Sequence, residues 1–173
     1  MEKGDFEARI QAIRAGALRT LEAISAIDYS FPVGADPIFG HSWLMHAIEL
    51  GGPEVVSWIL AKGAPCSFID DIGYTPLHLC IETVSPHKYR ILALLVGSGA
   101  ELDKKGLNDW TPLHLAAVRN DIRSTALLLG AGADPNIKTK IDLYATPAVE
   151  ARALGATATA DFIEGWIRLA VCK

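Results

Sequence analysis

Apolar residues recur three and four positions apart through most of the chain, and the runs are broken at regular intervals by Gly, Pro, Asp and Asn. Phe6, Ile10, Ile13, Leu18, Leu21, Ile24 and Ile27 open the pattern. That spacing places them on one face of a helix. Gly16 interrupts the run, which predicts two helices joined by a short turn. Residues 28–40 contain two Pro and two Gly and predict a loop. From there the pattern repeats: a short apolar helix, a turn, a second apolar helix, a Gly, and a short extended hairpin.

The repeat has a period of 33 to 36 residues, and such a period decides the architecture before single residues do. Gly73-Tyr74-Thr75-Pro76-Leu77-His78-Leu79-Cys80 returns as Asp109-Trp110-Thr111-Pro112-Leu113-His114-Leu115-Ala116. The segment from Gly40 to Ile48 aligns with that from Gly73 to Ile81 at an offset of 33, with Ser42 at the Thr position and Met45 at the His position. A last copy starts at Thr146-Pro147 but continues Ala148-Val149. In each Thr-Pro pair the hydroxyl suits a helix N-cap, and Pro suits the first helical position, where its missing N–H costs nothing. Gly99 suits a left-handed helix terminus, and Asp109, in place of a turn Gly, tolerates the same conformation.

The spacing is uneven in two places. Thr75 and Gly99 are 24 positions apart against 21 for Ser42 and Gly63, and the extra residues fall in the inter-helix loop Thr83–His87. The linker Asn136–Ala145 is two residues longer than its counterparts. The expected organisation is one domain over 1–173: an N-terminal capping unit at 1–35, repeats at 36–68, 69–104 and 105–137, and a C-terminal capping repeat at 138–173. One such unit cannot bury its apolar face alone, whereas stacked neighbours can.

Composition narrows the function. Half of the 173 residues are apolar, ample for a core, and the net charge is −4. The 16 basic residues are scattered, which argues against nucleic acid, whose phosphates need clustered Lys and Arg. No apolar run reaches membrane-spanning length, and no signal peptide is evident at the N-terminus. Three Cys, at 66, 80 and 172, fit reduced thiols in a cytoplasm better than a disulfide framework. The five His offer no metal site: His78 and Cys80 stand two apart on a helix and face different ways. The hairpin acids sit at exposed tips and not in a sheltered cleft, so neither catalysis nor a cofactor is expected.

Gly-x-Thr-Pro-Leu-His-x-Ala-Ala with a closing Gly-Ala-Asp resembles the ankyrin repeat. The match is strong over Asp71–Asp103 and Asn108–Asp134, fair over Gly40–Ala64, and weak in the first and last units. The resemblance implies an all-α solenoid of about five helix-turn-helix units with β-hairpin loops. It also implies that Thr75 with His78, and Thr111 with His114, hold their turns by local hydrogen bonds, and that Met45 and Val149, at the His position, leave their units without this tie. Members of the family mostly bind other proteins through the hairpin tips and the first helices.

The residues that differ between units are then the candidates for partner binding. On the hairpin edge these are Phe39, His41, Asp71, Ile72, Tyr74, Asn108, Trp110 and Leu143; late in the first helices they are Glu82 and Arg119. Tyr74 and Trp110, with Phe39 nearby, suit anchoring, because aromatic rings supply large contact area at low entropic cost. The expected function is a non-enzymatic module that binds a partner protein as inhibitor, adaptor or scaffold. It is expected as a monomer or in a heteromeric complex rather than as an obligate homo-oligomer. One narrower version is a bacterial immunity protein that blocks a toxin; a separate alternative is a structural subunit that self-associates through the exposed aromatic edge or the apolar final helix, Phe162 to Val171.

Overall fold

The computed structural model describes residues 3–36, 38–140 and 144–171. Among them are ten α-helices in five antiparallel pairs: α1 (Lys3–Arg14) with α2 (Leu18–Ile27), α3 (Trp43–Leu50) with α4 (Pro53–Ala61), α5 (Pro76–Glu82) with α6 (Lys88–Gly97), α7 (Pro112–Val118) with α8 (Ile122–Gly130), and α9 (Pro147–Ala153) with α10 (Thr157–Val171). The first helices of the pairs pack in one row in the order α1, α3, α5, α7, α9. The second helices α4, α6, α8 and α10 pack in a parallel row behind them. The result is the stacked all-α solenoid that the period predicts.

Equivalent positions explain the stacking. Leu44, Leu77 and Leu113 are wholly buried in α3, α5 and α7, and Ala148 takes their place in α9. Three residues further on, Ala47, Cys80, Ala116 and Ala151 are also buried. Small side chains there let neighbouring first helices approach closely. Ser42, Thr75, Thr111 and Thr146 each accept the backbone N–H three residues on, and so start α3, α5, α7 and α9. Gly63, Gly99 and Gly132, at φ of +90°, +82° and +102°, follow the second helices. That conformation lets the next residue's N–H reach back to Ile59, Leu95 or Leu128.

The hairpins differ from the expectation in one respect. Each is closed by one short cross-hairpin backbone bond, Asp36 N–H to the His41 carbonyl, Asp70 to Tyr74, Gly106 to Trp110, and Thr139 to Ala145, and the first adds a longer one from Trp43 to Gly34. One isolated bridge joins Ala35 and Ser42, and no strand forms among the described residues. The ladder stops for a local reason. The Thr75 and Thr111 N–H groups are taken by the Nδ1 atoms of His78 and His114, and the Pro that follows has no N–H to give.

The second unit also departs from its expectation. It does have a polar tie, supplied from the preceding loop. The Asp36 carboxylate is buried and accepts the N–H groups of Ile38 (3.0 Å), Phe39 (2.7 Å) and His41 (3.0 Å). It also meets His46 Nε2 at 2.9 Å. His46 thus replaces the missing His one position later in the helix. The long first linker is anchored by Phe31, which packs edge-on against Trp43 at 5.1 Å. The Arg9 guanidinium lies over both rings and donates to Asp28 at 2.8 Å.

Candidate functional site

The turns and the first helices enclose a cleft of about 450 Å³ on the edge where the second and third intact hairpins stand. One wall is Tyr74 in the hairpin before α5, with His78 and Glu82 along α5. The next hairpin contributes Leu107, Asn108 and Trp110, and α7 contributes Leu115, Val118 and the capping residue Arg119. Leu154, which caps α9, closes the far end.

Local chemistry fixes these side chains. Asp70 accepts the N–H groups of Ile72 and Tyr74 at 3.1 and 2.7 Å and shapes the turn. The Tyr74 ring then lies nearly parallel to the His78 ring, at 5.8 Å and 18°. His78 Nδ1 takes the Thr75 hydroxyl at 2.8 Å, and Nε2–H donates to the Trp110 carbonyl of the next hairpin at 3.0 Å. Trp110 is therefore held by its backbone, and its half-buried indole is free to form the cleft wall. His114 repeats the arrangement with the Ala145 carbonyl at 3.2 Å. Burial holds both imidazoles down at about 4 in pKa, so they are neutral near pH 7.

Glu82 joins the two rungs. One of its oxygens accepts Arg119 Nε at 2.9 Å and Nη2 at 2.7 Å. Burial, and then the charge of Glu82, push the Tyr74 phenol up from its usual range. Aromatic faces, aliphatic lips and one exposed charge pair make a surface suited to holding a side chain of another protein. Among the described residues, no three His, Cys, Asp or Glu side chains are grouped to hold a metal.

Tyr74, Glu82, Asn108, Trp110 and Arg119 come together in this cleft. Asp71 and Ile72 stand exposed at the tip beside it. Phe39 and His41 do not reach it. Phe39 meets Phe6 of α1 edge-on at 5.6 Å, and the His41 ring lies 5.7 Å from His46. Leu143, like Cys172, lies outside the described residues. Leu154 was not singled out from the sequence, although it stands eight residues after Thr146 as Arg119 does after Thr111. Carrying that offset into the weakly matching last unit is the signal that finds it.

Paired helices stacked in register, tied rung to rung by a histidine, with a recessed edge under projecting turns, define a helical-repeat scaffold. The family model described as "Ankyrin repeats (3 copies)" matches residues 10–106 and 44–139, and the chain belongs to that family. It is 34% identical over 101 residues to the human BCL-6 corepressor-like protein 1, covering 58% of this chain and 6% of that one. It is 39% identical over 99 residues to the putative ankyrin repeat protein FPV024 of fowlpox virus, covering 57% and 16%. It is 30% identical over 120 residues to a putative ankyrin repeat-containing protein of Treponema pallidum, covering 69% and 39%. The chain thus spans well under half the length of these relatives.

Proposed function

We propose that the chain is a non-enzymatic binding module whose partner is a protein, held in the cleft between Tyr74, Trp110 and Leu154. The observation that carries this is the cleft itself: residues that vary between units converge there around the shared His78 and Leu115, while the other shared residues are spent on caps and core. Ankyrin repeats are in general a protein-interaction scaffold, and a module of this kind acts by occupying a surface. Inhibition, adaptation and scaffolding all use that action. The free thiols of Cys66 and Cys80 support a reducing, cytoplasmic setting. Among the described residues no helix is long and apolar enough to cross a membrane.

The test is affinity purification from the native host with wild-type, Leu154→Ala and Trp110→Ala baits, beside Arg90→Ala on the outer helix α6. The partner is expected with wild type and Arg90→Ala, and to be depleted with the two cleft variants. Equal recovery with all four sinks the proposal. A second reading, self-association, draws on the apolar end of the stack, where Leu154, Trp166 and Leu169 are exposed. Light scattering across a concentration series decides it: a constant monomer mass removes that reading.

A further inference from the structure

The cleft has two ends of different chemistry. Toward α7 and α9 it is apolar: Leu107, Val118 and Leu154 line it, and Leu107 and Leu154 are 45% and 60% exposed. Toward α5 and α3 it is acidic. Glu82 lines the cleft, and Asp70 and Asp71 stand in the turn beside Tyr74. Glu49 is exposed on α3, seven residues after Ser42 as Glu82 is seven after Thr75. Arg119 is the cation that lines the cleft, and both its Nε and Nη2 already point at one oxygen of Glu82. Asp70 holds its own turn, and Glu49 stands one rung further along in a hollow that it shares with Arg14 and His87; the four carboxylates still outnumber Arg119 and Arg14 at this end. An excess of one sign steers and orients a partner of the other.

Resting on the docking reading above, we infer that the occupant is a partner-protein segment with an aliphatic or aromatic anchor and a nearby Lys or Arg. The anchor sits over Leu107, Val118 and Leu154, and the cation over Glu82, Asp71 and Glu49. Neighbouring packed helices lie about 8–10 Å apart, and an extended chain advances about 3.3 Å per residue. Cation and anchor, two helix spacings apart, therefore stand roughly five to six residues apart in the segment. The Tyr74 and Trp110 rings between the two ends add faces that attract a cation and also accept an aliphatic stem.

Three acetylated, amidated hexapeptides test this against the whole 15N-labelled chain. Each ends in Leu-Phe; at the other end one carries two lysines, one two glutamates and one two serines. The lysine peptide at millimolar concentration is expected to shift the amide resonances of Tyr74, Glu82, Trp110 and Leu154 saturably. It should bind roughly three- to tenfold more tightly than the serine peptide, since each exposed ion pair contributes little alone. That advantage should shrink with salt and vanish in the Glu49→Gln, Asp71→Asn double variant. A glutamate peptide that binds the cleft as tightly as the lysine peptide overturns the cationic assignment and leaves the cleft as a docking site. Cleft resonances unmoved by all three peptides overturn both.

Discussion

His78 and His114 each make bonds that only a neutral ring can make. Nδ1 accepts from the Thr N–H and hydroxyl of its own turn, and Nε2–H donates to a carbonyl of the next hairpin. A proton on Nδ1 would face another N–H and break the cap. The ordinary histidine value is 6.5, and burial lowers both in the folded chain to about 4. Between those values the unfolded chain binds more protons than the folded one. Stability is therefore full above about pH 6.5 and is lost as pH falls toward 4, by up to roughly 3 kcal/mol for each ring. Urea midpoints measured between pH 7 and 4.5 should fall steadily, and His78→Gln should flatten part of that slope. A slope unchanged in that variant would show that the ring does not carry the effect. Replacing His114 by Ala should cost about 2–4 kcal/mol at pH 7, because it leaves the buried Thr111 N–H without its acceptor and the Ala145 carbonyl with only the Thr139 N–H.

Asp36 sets the geometry of a whole element. Its carboxylate gathers three backbone N–H groups and His46, so the loop before α3 is held from within. Asp36→Ala should cost roughly 2–4 kcal/mol. Hydrogen exchange should rise first in α1 to α4 and stay slow in α7 to α9; uniform change along the stack would contradict a local role. This tie was not legible in the sequence. The repeat alignment shows a missing His at Met45 but cannot show that a residue six positions upstream of Ser42 compensates. The elements themselves were legible, because Thr75-Pro76, Thr111-Pro112 and the Gly turns carry their own start and stop chemistry. The cleft was half legible. Tyr74, Trp110, Glu82 and Arg119 stand out as differences between strong copies, but the turning of Phe39 onto Phe6 depends on a contact between α1 and the first loop that no periodicity encodes.

At the scale of the molecule, each rung is stabilised by its neighbours, so damage at the centre spreads. Leu115 is buried between α7 and its neighbours, and Leu115→Asp should unfold the array, because an unpaired charge would be buried there. Loss of the helical signal in circular dichroism at 25 °C is the expected readout; a native spectrum would mean that the stack tolerates a broken centre. Leu154→Ala, in contrast, alters an exposed lip and should leave the melting temperature nearly unchanged. That separation of fold from surface allows a direct test of the cleft. A photo-crosslinking p-benzoylphenylalanine is placed at Leu154 in one chain and at Ala93, on the outer face of α6, in another. Both are irradiated in the native host. One partner should be captured from position 154, with capture abolished by Trp110→Ala, and none from position 93. Capture from position 93 alone, or capture at 154 that ignores Trp110→Ala, would contradict the cleft as the binding surface.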